Sequence, residues 1–138
     1  MEPKFSTSER SFAGAGLVLL TGGCFVVGIF NPSTAGFFPG CPLLDLTGYA
    51  CPGCGLTRAF HALFHGDFIA ALDFNAIIPF FVIGFVYLAI LLASIMFRGK
   101  GLPYTFFSPS ALTVFGVIAV TFGIIRNIPA YPFEILFP

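Results

Sequence analysis

Charge is what this chain has least of. Its 138 residues hold six Lys/Arg and six Asp/Glu, so 9% are charged and the formal net charge is zero. A soluble domain devotes about a quarter of its residues to charge, and a chain this poor in it cannot coat an ordinary water-soluble shell. A zero balance without a cationic cluster also leaves no basic face for nucleic acid and no acidic tail. The carboxylates are too scattered for acid–base work: Asp45, Asp67 and Asp73 read better as helix caps or ion-pair partners. Missing too are a Ser-His-Asp set, paired carboxylates within an apolar run, a phosphate-cradling loop and a dinucleotide glycine pattern. These absences imply no cofactor and incline the chain away from the enzymes.

What is present is hydrocarbon. Apolar residues make up 57% of the chain, with 20 Phe among them, and the mean hydropathy is +0.98. Three uncharged runs follow. Residues 12–30 give 19 positions, about 28 Å as a helix. Residues 76–97 give 22, about 33 Å, enough to span with tilt. Residues 109–125 give 17, about 26 Å, at the short end of the spanning range. Hydrocarbon offers no partner to an exposed backbone N–H or C=O, so each run must be helical. The first is too long for the apolar core of a signal peptide, and no small-residue cleavage site follows it. Thr21-Gly-Gly-Cys24 departs from a lipoprotein site, so Cys24 reads as part of a span. The sequence predicts one all-α domain over residues 1–138, an integral membrane bundle with spans at 12–30, 76–97 and 109–125.

Positive charge sets the orientation. Lys4 and Arg10 precede the first run, and Arg98 and Lys100 follow the second. Four of six cations are cytoplasmic if the N-terminus is inside, which puts residues 31–75 and the C-terminus outside. Two short interfacial helices are predicted there, at 52–65 and 68–74. Cys51 would be the N-cap of the first, with Pro52 at its first position, where a missing N–H costs nothing. Gly66 would stop that helix, Asp67 cap the next, and Asn75 cap the second span, with Pro79 tolerated in its first turn. In the third run Gly116, Ala119 and Gly123 form a small-residue face that would pair with the Gly-rich first span. That face leads to Arg126 and Asn127, at the level of the Cys51 helix.

Cys51-Pro-Gly-Cys-Gly-Leu-Thr-Arg58 concentrates the polar chemistry. Two thiols in a helix's first turn, with Arg58 one turn on, suit thiol–disulfide exchange, Cys51 attacking and Cys54 resolving. The plainer reading is a structural pair, Cys51 and Cys54 bonded to each other or one of them to Cys41. A zinc site would use Cys51, Cys54, His61 and His65, or Cys41 in place of a histidine, although Arg58 interrupts that helix face. Arg58, Arg126 and Asn127 could hold an anion, or could snorkel and pair with Asp45, Asp67 or Glu134.

Cys51-Pro-Gly-Cys-Gly-Leu-Thr-Arg-Ala59, then Gly66-Asp67, Ala71, Asn75 and finally Arg126-Asn127, together resemble the bacterial membrane-protein family known as domain of unknown function 2752. The resemblance extends from about Cys41 to Pro129. It implies a small multi-pass protein of the bacterial inner membrane with a hallmark motif that includes Pro52, Gly55, Thr57 and Arg58, and with no assigned activity. One departure is Asn75-Ala76, where the family follows Asn with Pro; His61 and His65 are not part of the pattern. The expected role is a scaffold, or a protein that binds lipid or a partner, with structural thiols. The alternatives are membrane-tethered thiol–disulfide exchange and structural zinc. The expected partners are the bilayer, another membrane protein or a second copy of the chain, and no nucleic acid.

Overall fold

A computed structural model describes residues 5–102, 108–131 and 133–136. The chain is all-α, with six α-helices among the described residues: α1 (Thr7–Ile29), α2 (Pro42–Thr47), α3 (Leu56–Phe64), α4 (Phe68–Phe74), α5 (Ile78–Arg98) and α6 (Pro109–Ile125). A 3₁₀ turn, Phe133–Leu136, follows α6. The helix α1 starts five residues before the uncharged run because Ser6 and Glu9 close a capping box, satisfying backbone donors that would otherwise be orphaned. Ser108 caps α6 by accepting from the Ala111 N–H, and Pro109 takes the first helical position. Gly99 ends α5 in the left-handed region at φ 62°.

Two helices, α1 and α5, are long and apolar enough to cross a membrane, and α6 is a shorter apolar helix. All three display large apolar side chains outward, among them Leu19, Phe25, Ile83, Val86, Val117 and Ile124. Such faces suit lipid and not water.

The helices α1 and α5 run antiparallel. Gly14 faces Met96, and Gly16 faces Leu92. At the same end Arg10 donates from Nε to the Met96 carbonyl at 3.0 Å and from a terminal nitrogen to the Phe97 carbonyl at 3.4 Å. A cation thereby answers the unpaired carbonyls at the C-terminal end of α5. Lys4, the other cation expected at this end, lies outside the described residues. The pairing expected between the Gly-rich first span and the small face of α6 is corrected. Gly14 and Gly16 receive side chains of α5, a Cβ on Gly116 would meet open space, and Gly123 abuts the Pro52 ring. Phe115 joins α6 to α5, with ring centroids 6.4 Å from Phe80 and 5.6 Å from Phe81.

The short helices α2, α3 and α4 gather at the far end from Arg10. The helix α2, unforeseen among the turn residues that surround it, begins at Pro42 after Cys41 and ends on Gly48 at φ 75°. The helix α3 starts later than expected. Residues 52–55 are turn, and the N-cap is Gly55, not Cys51. Asp67 caps α4 through the Ala70 N–H, as its position before an apolar stretch implies. Asn75 ends α4 and precedes α5, whose N-cap is Ile77.

Two glycines test the local geometry. Gly55 and Gly66 have near-identical φ, 80° and 79°. A Cβ on Gly66 meets nothing, whereas one on Gly55 would collide with the Phe74 carbonyl oxygen. Gly66→Ala should therefore lose about 1–2 kcal/mol, the cost of a left-handed Cβ alone. Gly55→Ala should lose more, because backbone cannot step aside. Thermal unfolding of the detergent-solubilised variants measures both, and equal losses would remove the clash from the account.

Candidate functional site

The turn that joins α2 to α3 is held by side chains from distant parts of the chain. Asn127 pairs with the Ala50 backbone from both ends of its amide: Oδ1 accepts from the Ala50 N–H at 2.7 Å and Nδ2 donates to the Ala50 carbonyl at 2.8 Å. Asn75, 1% exposed, donates from Nδ2 to the carbonyls of Pro52 at 2.9 Å and Cys54 at 3.2 Å, while its Oδ1 accepts from the Ile77 N–H at 3.1 Å. One amide thus fastens the motif turn to the start of α5. A buried backbone carbonyl without a partner is costly, so these amides do what a ladder does elsewhere.

Arg126 is the centre. It is fully buried, and one terminal nitrogen donates to the carbonyls of Cys51 at 3.0 Å and Cys54 at 3.1 Å. Its Nε donates to the Leu136 carbonyl at 3.1 Å, bringing in the 3₁₀ turn. The guanidinium carbon lies 4.9 Å from the Phe122 ring centroid, a favourable cation–π contact. The other terminal nitrogen has no hydrogen-bond partner. Among the described residues no carboxylate pairs with this cation; the side chain of Glu134 is not among them. Three carbonyls supply dipoles but no negative charge.

Sulfur stands nearby. Cys51 Sγ lies 3.3 Å from both Cys41 Sγ and Cys54 Sγ, and all three sulfurs fall within 4.8 Å of one another. The Cys51 N–H donates to Cys54 Sγ at 3.2 Å. The disulfide expected here is corrected: all four cysteines, Cys24 included, are free thiols. The three clustered thiols are not equivalent. Hydrogen bonding from the Cys54 thiol, then from the Leu44 backbone, holds Cys41 down to about 6. Burial pushes Cys54 up to about 12, with the neighbouring sulfurs adding to the rise. Cys41, the N-cap of α2, is thus a thiol whose anion its hydrogen bonds favour.

The structure brings Cys41, Cys51, Pro52, Cys54, Gly55, Asn75, Arg126 and Asn127 together. It leaves others apart. Arg58 lies over the Phe74 ring, 5.4 Å from its centroid, and its charge reaches Arg126 as a repulsion. Thr57 is exposed on α3, lining a groove toward α1 with Cys24 and Phe60. His61 and His65 turn away from the sulfurs, with ring nitrogens 2.7 Å from the Val27 carbonyl and 3.0 Å from the Gly28 carbonyl. They meet the orphan carbonyls at the C-terminal end of α1, and the metal-ligating part suggested for His61 does not form.

Two outcomes follow. Asn75→Leu fills the space but removes the donor to the Pro52 and Cys54 carbonyls and the acceptor for the Ile77 N–H, so it should lose about 1–3 kcal/mol, as buried polar groups left unpaired do, in chemical unfolding of the detergent-solubilised protein. A loss no larger than that of Ala at an exposed site would contradict the account. For the reduced chain, alkylation of Cys41 should rise through pH 6 and level above it, because lowering its pKa fills the thiolate at lower pH. A Cys41 profile that rises only near pH 9 would overturn the ordering of the thiols.

Comparison with known proteins bears on the motif segment. No curated protein and no solved structure matches the chain. A family model does, and it covers the three clustered cysteines and Asn75 but stops short of Arg126 and Asn127. Over residues 41–89 the chain matches the family described as protein of unknown function (DUF2752).

Proposed function

We propose that this chain is a three-span protein of the bacterial inner membrane, with the N-terminal end of α1 cytoplasmic and the cysteine motif extracytoplasmic. Its role is that of a scaffold: it holds a sulfur-bearing cap at the outer face for a lipid or membrane partner. One observation carries this reading. Arg126 and Asn75 spend their hydrogen bonds on the backbone of the motif turn, tying α5 and α6 to one rigid element. A catalytic asparagine keeps donors free for substrate, whereas Asn75 grips the chain itself, and the one donor nitrogen that Arg126 leaves without a partner is buried. The third span rests on α6, whose 17 residues reach about 26 Å and need only slight thinning of the bilayer. Orientation rests on the cations Arg10, Arg98 and Lys100, which gather at the end opposite the motif. Exposed Leu43, Leu46, Tyr49, Phe68 and Ile69 on the cap suit the headgroup boundary.

A second reading, thiol–disulfide exchange, has one observation in its favour: the favoured thiolate, Cys41, sits 3.3 Å from Cys51. Cys41 would attack a partner disulfide and release one partner sulfur as thiolate. Cys51 would then displace the second, leaving Cys41–Cys51 oxidised and the partner reduced by two electrons.

Introduced thiols test the topology. In intact cells, in a chain whose four native cysteines are replaced by serine, a membrane-impermeant maleimide should modify Ser33→Cys, and should modify Ser8→Cys only after lysis; the reverse pattern overturns the orientation. Cys51→Ser separates the two roles. A destabilised chain without adducts supports the scaffold, and a mixed disulfide trapped on Cys41 supports exchange.

A further inference from the structure

The sulfur cluster has two features that a scaffold of free thiols leaves unexplained. The first is its number. A disulfide would use two sulfurs, yet three converge, from the N-cap of α2 and from both ends of the motif turn. The second is charge. Arg126 is a fully buried cation with three carbonyls, one donor without a partner and, among the described residues, no carboxylate. Burying an unpaired ion costs several kcal/mol, and among the described residues the groups beside it that can become anionic are the three cysteines.

We propose that Cys41, Cys51 and Cys54 bind one zinc ion as three thiolates, with Arg126 as the charge partner of the complex and the fourth coordination position open to water or an exogenous ligand. Zinc favours thiolate, is bound tetrahedrally, and has Zn–S bonds of about 2.3 Å, which set the sulfurs about 3.8 Å apart. Two of the three sulfur pairs stand at 3.3 Å and need to open by about half an ångström to accept it, and the third already lies within 4.8 Å. The charges also balance. A divalent ion with three thiolates carries one net negative charge, and Arg126 carries one positive, so the buried unit is neutral. A monovalent soft ion would leave one negative charge over. The Cys51 N–H directed at Cys54 Sγ adds a donor to a ligand sulfur, the kind of outer contact that orients metal ligands. Binding replaces the thiol protons, which pass to solvent, so uptake releases protons.

Three protein ligands are fewer than a closed structural site has. Among the described residues no histidine, aspartate or glutamate joins the group, and His61 is occupied with the end of α1. The open position therefore makes this a Lewis-acid site for a small anionic or thiol ligand, not only a staple. The inference deepens the scaffold reading of the same site, but it does not depend on which side of the membrane the motif faces.

The test uses the full chain in detergent, reduced and stripped with a chelator, then titrated with zinc against a chromophoric competitor and with cobalt as a spectroscopic stand-in. One ion per chain is expected. Cobalt should show the intense visible bands of a tetrahedral site, charge-transfer intensity for three thiolates, and a spectral shift on adding a small thiol. Cys41→Ser, Cys51→Ser and Cys54→Ser should each weaken zinc binding by at least about 100-fold, while Cys24→Ser leaves it unchanged. The wild-type cobalt spectrum stands even where a variant fails to fold. Uptake well below one equivalent, a two- or four-thiolate spectrum, or no response to added thiol would overturn the proposal. Those results would leave the maleimide topology and the adduct test of Cys51→Ser untouched, so the two readings fail separately.

Discussion

A buried guanidinium that pairs with no carboxylate among the described residues is the constraint around which this protein is arranged. Arg126 reaches the carbonyls of Cys51, Cys54 and Leu136 and lies over Phe122, leaving none of its surface to solvent. Arginine suits the position because its fork serves several acceptors at once and stays charged. Lysine would offer a point charge that loses its proton when buried. The stabilisation comes from replacing water dipoles by carbonyl dipoles fixed in advance, and that works only while the motif turn keeps its shape.

The rest of the cap keeps that shape. Gly55 turns left-handed so that α3 can pass the Phe74 carbonyl, and Asn75 draws the Cys54 carbonyl from the other side. Gly123 lets the Pro52 ring lie against α6, and Asn127 takes both backbone groups of Ala50. Each contact joins the motif to a helix far away in sequence. Convergence of the sulfurs is then a consequence. With Cys51 and Cys54 fixed by their carbonyls, the start of α2 brings Cys41 within contact distance.

The position of the polar site at one end of the bundle has an electrostatic counterpart at the other. Arg10 answers the C-terminal carbonyls of α5 there, while at the motif end His61 and His65 answer those of α1. Cations and imidazoles are thus used on helix ends, where their charge or donors meet unpaired carbonyls. Between the two ends lies hydrocarbon, with outward-facing side chains such as Phe12, Phe25 and Val120.

Residue chemistry by itself determined that apolar runs must be helical, that Gly66 and Asp67 must punctuate α3 and α4, and that Cys51 to Arg58 is the exceptional stretch. These follow from local rules: hydrocarbon without hydrogen-bond partners, left-handed φ at glycine, a carboxylate at a helix start. Tertiary structure alone decided that Cys51 is not a helix cap, that α1 pairs with α5 in place of α6, that Cys41 joins Cys51 and Cys54, and that His61 does not. Those outcomes depend on which carbonyls are orphaned once the helices pack. Arg126 competes for them across 72 to 75 residues of chain, and no periodicity or propensity within a window reports such a contact.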